Sequence, residues 1–336
     1  MTRPRPVFLA AAFVAAAAAT LVAQDGFKLK SKVELVNVTA TVSDDSGRFV
    51  PGLRQTDFTI YEDNERQEIK FFSADRVPVS LGILLDSSGS MTPDKMEYAR
   101  AAINRFTQEL LDPEDELFLM TFSRSSRLLQ DWTTDRRLIS RAMSRIQPDG
   151  GTAMYDAVAD ALPITAAGRH EKKAILLISD GNDRNSQMSV NELRQAIRES
   201  EILVYALGVD AAGRTFQIDQ PRSPNPIPIP FPIPRGRGRG FPQIIFGGGG
   251  GSVQMDERVN ADALRRITDD TGGRTEIVHG FKDLDQATER IADELSKQYY
   301  LGYSSTRPKD GRWHTIRVET KDRKFTVRAR RGYVAS

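Results

Sequence analysis

The alternation of apolar and polar positions divides the chain into a middle that mixes strands with helices and two flanks that read as β. Between residues 29 and 78, Val36, Val38, Ala40 and Val42 alternate with Asn37, Thr39 and Thr41, the period of two expected of a strand with one covered face. Phe58 and Ile60 repeat the alternation, Glu62-Asp63-Asn64-Glu65 makes a polar turn, and Gln67, Ile69 and Phe71 resume it. From residue 79 the pattern changes. Leu81 to Leu85, Leu117 to Phe122, Ala174 to Ser179 and Ile202 to Val209 are short, nearly continuous apolar runs, which suit strands covered on both faces. Met96, Ala99, Ile103, Phe106 and Leu110 recur at spacings of three and four and predict an amphipathic helix. Ala153 to Ala166 reads as a second helix, and Leu284, Ala287, Ile291 and Leu295 mark a last one within 281–298. Arg127 to Trp132 reads as a short edge strand. After residue 298 the chain returns to β, with Tyr299 to Tyr303, Thr315 to Thr320, and then Phe325, Val327 and Ala329 on one face. Arg328 and Arg330, on the opposite face, read as solvated.

Strands alternating with helices predict an α/β domain with a doubly wound, mostly parallel sheet over residues 79–298. The flanking β units, 29–78 and 299–334, are expected to pair into one small sandwich, because each alone leaves an apolar face uncovered. Two separate β appendages are the alternative. In open sheets of the predicted kind, sites form at the carboxyl ends of the strands. Asp86 and Asp180 each stand just past such an end.

Composition changes this picture in a few places. The 336 residues allow about two domains, and 39% apolar content is enough for a core. A net charge of +2 makes no global case for nucleic acid. With no cysteine, disulfides, thiolate metal sites and a cysteine nucleophile are excluded. Residues 1–23 read as a secretory signal peptide: Arg3 and Arg5 precede an alanine-rich apolar stretch from Val7 to Ala23. An uncleaved membrane anchor is the alternative, for a stretch slightly shorter than the roughly 20 residues of a comfortable span. Cleavage would leave no membrane span and place the protein outside the cytoplasm, secreted or periplasmic. Residues 211–256 interrupt the pattern with alternating prolines from Ile227 to Pro234, Arg-Gly repeats from Arg235 to Gly240, and a glycine run from Gly247 to Gly251. This composition predicts an unstructured insertion, leaving the domain on the carboxyl side of the sheet. It could bind a partner, cover a site, or be a tolerated surface insertion.

The candidate chemistry lies in three stretches. Asp86-Ser87-Ser88-Gly89-Ser90 follows a buried strand, with Gly89 expected to let the loop turn sharply. Its carboxylate and two hydroxyls are hard oxygen donors of the kind that suits magnesium or manganese. Taken alone, it is also readable as a serine-rich turn. Gly150-Gly151-Thr152 and Ser179-Asp180-Gly181 follow at later loops. Together and in this order, the three stretches resemble the loops of the metal-ion-dependent adhesion site of von Willebrand factor A domains. The resemblance spans about residues 79–300. It implies a metal held by Asp86, Ser88, Ser90, Thr152 and Asp180. The hydroxyls of Ser88, Ser90 and Thr152 would bind directly and the two aspartates largely through water. Neutral hydroxyls leave the ion poorly compensated, so the implied partner is a protein supplying an Asp or Glu carboxylate. Asp156 and Asp183 read as groups that fix the loops.

The flanks add to the resemblance. Asp57-Phe58-Thr59-Ile60-Tyr61-Glu62-Asp63, Gln298-Tyr299-Tyr300-Leu301-Gly302-Tyr303 and Arg328-Ala329-Arg330-Arg331-Gly332-Tyr333 look like a bacterial group of von Willebrand factor A-related domains common in Acidobacteria. The expected function is therefore a non-enzymatic adhesion module of the cell envelope. One competing class is a structural envelope protein whose metal only rigidifies the domain. Another is a metal-dependent hydrolase, which would need a general base near the metal. His170, His279 and His314 all fall outside the motifs and read as surface histidines.

Overall fold

The structure, a computed structural model, describes residues 35–210 and 259–335. The signal-like stretch 1–23 and the insertion 211–256 lie outside the described residues. In chain order the elements are β1 (Leu35–Ser43), β2 (Phe58–Glu62), β3 (Glu65–Gln67), β4 (Ile69–Ser73), β5 (Val79–Asp86), α1 (Pro93–Arg105), β6 (Glu116–Phe122) and β7 (Ser126–Thr133). They continue with α2 (Arg136–Met143), α3 (Met154–Ala166), β8 (Lys172–Ser179), α4 (Val190–Ser200), β9 (Leu203–Val209), α5 (Ala261–Thr268) and β10 (Thr275–Val278). The last are α6 (Phe281–Ser296), β11 (Tyr299–Ser304), β12 (Trp313–Thr320), β13 (Thr326–Ala329) and β14 (Gly332–Val334). No helix among the described residues is long and apolar enough to cross a membrane.

Six strands form the central sheet in the order β10-β9-β8-β5-β6-β7, every pair parallel except β6 with β7 at the edge. Helices cover both faces, which is why its inner strands carry unbroken apolar runs. Leu81, Ile83 and Leu85 of β5 pack with Met96 and Ile103 of α1, Ile139 of α2, and Leu284 and Ile291 of α6. Leu84 of the same strand turns the other way, into a core with Val158 of α3, Leu193 of α4 and Leu264 of α5. The doubly wound sheet is thus as the pattern predicts. The hairpin β6-β7 builds out one side of β5, and the chain then returns to place β8 on the other. β5 and β8 therefore flank the point where the winding reverses, the usual place for a crevice at the carboxyl edge.

The flanks pair with each other. One four-stranded sheet has the order β13-β1-β11-β4 and the other β14-β12-β2-β3, so each mixes strands from both ends of the described chain. Val38, Ala40, Phe58, Ile60, Tyr299, Leu301, Tyr303 and Ile316 fill the space between them. Asp63 and Asn64, with φ of 46° and 68°, make the tight turn between β2 and β3. The arginines in and just after β13 depart from expectation. Arg328 is not solvated: it pairs with Glu294 of α6 and donates to the Gly273 carbonyl at 3.0 Å. Arg330 lies against Glu201 with its guanidinium over the Tyr333 ring. Both arginines join the sandwich to the α/β domain, Arg328 through the buried Glu294 and Arg330 through the more exposed Glu201.

Candidate metal centre

Four of the five predicted ligands are buried, three of them at or just past the ends of β5 and β8 and Thr152 in the loop that enters α3. Asp86 ends β5, and its carboxylate turns back into the protein, fully buried. Its Oδ1 accepts the Ser88 backbone N–H at 2.8 Å and its Oδ2 accepts the Ser179 hydroxyl at 2.6 Å. The first bond closes the loop on itself; the second ties it to the end of β8. Ser88 Oγ then stands 3.0 Å from Ser90 Oγ. Ser88 is fully buried, whereas Ser90 keeps partial exposure. Asp180, the residue after β8, is also fully buried, and its Oδ1 accepts the Asn182 N–H at 3.2 Å. Thr152 is 3% exposed on the second loop. Its N–H donates to Asn185 Oδ1 at 2.9 Å, and its carbonyl accepts the N–H groups of Arg184 and Asn185. Among the described residues its hydroxyl takes part in no hydrogen bond.

The three loops are stitched by backbone contacts. Gly89 N–H donates to the Gly150 carbonyl at 2.9 Å, and Asp149 N–H to the Ser87 carbonyl at 2.8 Å. Gly89 lies in the tight turn expected of it, closed by the Met91 N–H on the Ser88 carbonyl at 3.0 Å, although its φ is not left-handed. Close approach is its contribution, since a Cβ there would meet the Gly150 carbonyl oxygen at 3.3 Å. Gly150 does adopt a left-handed φ of 84°, and a Cβ on Gly151 would fall 1.9 Å from Asn185 Oδ1. The Gly-Gly pair thus lets Thr152 sit against the third loop. Asp183 and Asp156 hold backbone, as expected. Asp183 accepts the Tyr155 N–H, and Asp156 those of Gln187 and Met188, each at 2.9 Å.

Burial pushes the Asp86 carboxyl up to about 6; the hydrogen bonds from Ser179 and Ser88 oppose this and the charge of Asp180 adds to it. The hydrogen bonds across the loops bring two carboxylates and three hydroxyl-bearing residues to one edge of the sheet. The set is oxygen-only, and among the described residues no cluster of three or more His, Asp or Glu could hold a metal by itself. Hard divalent ions tolerate such a mixture of hydroxyl, carboxylate and water oxygens, and thiophilic ions do not. The residues present therefore fit magnesium or manganese.

One buried group at the site is absent from the motif. Lys95, in the first turn of α1, is 1% exposed and donates to Asp180 Oδ2 at 3.0 Å and to the Ser90 carbonyl at 3.2 Å. Its signal was in the helical period: Lys95, Ala99, Ala102 and Phe106 fall on one stripe, so a lysine occupies an apolar position. The histidines differ from one another. His170 precedes β8 at the opposite edge, beside Ser80 and the Glu114 carbonyl. His279 is exposed at the carboxyl edge and faces Asp210 at 3.1 Å. His314 is no surface histidine: it is 7% exposed, within the sandwich, held by Asp63 at 2.8 Å.

Comparison with known proteins finds relatives for the part of the chain that holds the three loops. Residues 81–182 match the family model of the von Willebrand factor type A domain, a stretch that holds all five candidate ligands. An uncharacterized protein of Synechocystis sp. is 25% identical over 137 residues, 40% of this chain and 32% of that protein. The chain thus spans about a third of the length of this curated relative. Among solved structures, BatB, a conserved hypothetical protein from Bacteroides thetaiotaomicron, is 23% identical with a TM-score of 0.45, covering 64% of this chain and 98% of that one. A von Willebrand factor type A protein from Catenulispora acidiphila is 14% identical with a TM-score of 0.47, covering 89% and 73%. The vWF domain of the type V pili tip protein Mfa5 from Porphyromonas gingivalis is 24% identical with a TM-score of 0.30, covering 33% and 40%.

Proposed function

We propose that this von Willebrand factor type A domain is a protein-interaction module that works outside the cytoplasm. It would recognise a carboxylate of its partner through a divalent metal, magnesium or manganese. The observation that carries this reading is the oxygen set itself: Asp86 and Asp180 buried at adjacent strand ends, and Ser88 Oγ 3.0 Å from Ser90 Oγ in the loop that Asp86 closes. Ser88, Ser90 and Thr152 would hold the ion directly, and Asp86 and Asp180 would orient its water ligands. A bound magnesium ion supplies a positive centre that keeps a coordination position for an incoming carboxylate. The chain's own residues do the rest. The bond from Ser179 to Asp86 and that from Asn182 to Asp180 keep the carboxylates from swinging outward, and the Gly-Gly loop carries Thr152 to the same edge.

We read no catalysis here. Hydrolysis needs a base within reach of an activated water, and His170 and His314 stand away from the three loops. His279 shares the carboxyl edge but follows β10, two strands beyond β8, and is turned to Asp210. An envelope location rests on the signal-like residues 1–23. A structural reading, in which metal only rigidifies the domain, is separated from adhesion by experiment. Envelope proteins are captured on the mature chain in magnesium, in EDTA, and on Asp180→Ala in magnesium. Partners held only by the wild type in magnesium are the expected result. The same partners under all three conditions would overturn metal-bridged adhesion.

A further inference from the structure

Lys95 is a costly residue to bury. An ammonium taken out of water loses its solvation at a high cost unless a charged partner and further acceptors replace it. Here the partner is Asp180 at 3.0 Å, and the second acceptor is the Ser90 carbonyl at 3.2 Å. Both residues belong to the candidate ligand set, so the cation is built into the site itself. α1 begins directly after the first loop, and its first turn delivers the side chain inward along the stripe that also carries Ala99 and Ala102.

The charge balance gives this placement a consequence. Asp86, Asp180 and Lys95 are the buried ionic groups of the three loops, and they leave a single net negative charge. A divalent ion turns that into a single positive charge, which one carboxylate ligand neutralises. Without Lys95, the two aspartates alone would balance the ion, and an arriving carboxylate would leave the buried site negative. A net charge in a poorly solvated place is expensive. Lys95 thus weakens the hold on the ion and strengthens the demand for an anion.

We propose that Lys95 is an internal countercation that makes the metal centre selective for anionic ligands, at the expense of metal affinity. This rests on the metal-bridged reading above. It predicts opposite changes in two affinities, whereas a lysine that only pins α1 to β8 would weaken both or neither.

The test measures magnesium affinity by titration calorimetry, in sodium chloride and in sodium acetate of equal ionic strength. The proteins are the wild type, Lys95→Met and Lys95→Arg, all purified in magnesium and stripped by dialysis. Acetate should tighten magnesium binding to the wild type and to Lys95→Arg. Lys95→Met should bind magnesium about tenfold more tightly than the wild type in chloride, equivalent to about 1.4 kcal/mol, and lose the response to acetate. Magnesium binding by Lys95→Met that is no tighter than wild type, or an intact acetate response, would overturn the proposal. Should stripped Lys95→Met be too unstable for calorimetry, its melting temperature must rise more steeply than that of the wild type between low and high magnesium, over concentrations at which both are folded; an equal or shallower rise would also overturn it. A wild type that binds no magnesium would instead remove the metal-bridged function, a result visible before any variant is made.

Discussion

The Ser179 hydroxyl donates to Asp86 Oδ2 at 2.6 Å, joining the ends of two strands that lie 93 positions apart in sequence. The same hydroxyl accepts the Gly181 N–H at 2.9 Å, so one side chain braces both the first and the third loop. Ser179→Ala would leave a buried carboxylate oxygen without its donor, a loss of about 1–3 kcal/mol. Urea denaturation should show that loss, and magnesium titration should show weaker binding. Wild-type stability in the variant would mean that the Asp86 carboxylate finds another donor.

Magnesium should stabilise the folded chain through Asp86. At free magnesium about 100 times the dissociation constant, binding adds about 2.7 kcal/mol. The melting temperature should therefore rise on magnesium addition, and Asp86→Ala should abolish the rise. A rise that persists in the variant would place the ion elsewhere.

Asp270 is the clasp between the α/β domain and the end of the sandwich. It is 3% exposed, accepts Arg194 at 2.8 Å and Arg198 at 2.8 Å, and faces Arg331 at 3.6 Å. Asp270→Ala strands three guanidinium groups against one another. Their partial exposure limits the cost to about 3 kcal/mol, the lower end for breaking a buried pair by removing one partner. Urea denaturation of the variant checks this; a change within about 0.5 kcal/mol, as at ordinary surface sites, would show the clasp to be idle.

Two buried cations give stability opposite dependences on pH. The hydrogen bond to Asp63 raises His314 above its ordinary 6.5, and burial opposes it. A group raised in the folded state contributes stability fully below the unfolded value and loses it as pH climbs through the folded one. The stability difference between wild type and His314→Gln should therefore shrink as pH rises through and above the neutral range. A difference that is flat with pH, measured by urea denaturation, would refute the pairing.

Lys172 behaves in the opposite sense. It is buried at the start of β8, donates to the Leu295 carbonyl, and is pushed down to about 7 by burial. Between about 7 and its ordinary 10.5 the unfolded chain binds the extra proton, so stability should climb with pH across that window. Lys172→Met should remove the climb. A variant whose stability rises as steeply as the wild type would assign the slope to another group.

Much of this architecture was legible before the fold was seen. Periods of two and of three to four located β1, β5, β6, β8, β9, α1, α3 and α6, because their apolar residues are numerous and regularly spaced. The helices α2, α4 and α5 went unread. They are short and carry few core residues, although Ser189 and Glu192 form a reciprocal cap that marks the start of α4. Arg328 and His314 were misread for a related reason. A polar residue on an alternating strand defaults to the solvent face, and nothing local announces that α6 will meet Arg328 or that Asp63 and Tyr333 will enclose His314.

The order and chemistry of the three loops are properties of the one-dimensional chain. Asp86, Ser88, Ser90, Thr152 and Asp180 could be named because the three stretches that hold them resemble, in order and residue type, the loops of the metal-ion-dependent adhesion site. That β8 lies beside β5, and so brings Asp180 next to Asp86, follows from the reversal of winding in the sheet. That Lys95 turns inward to meet Asp180 follows from how α1 seats on its face of the sheet. Both are packing outcomes. Periodicity states how often a chain must bury a side chain; only the neighbours it packs against decide what that side chain meets.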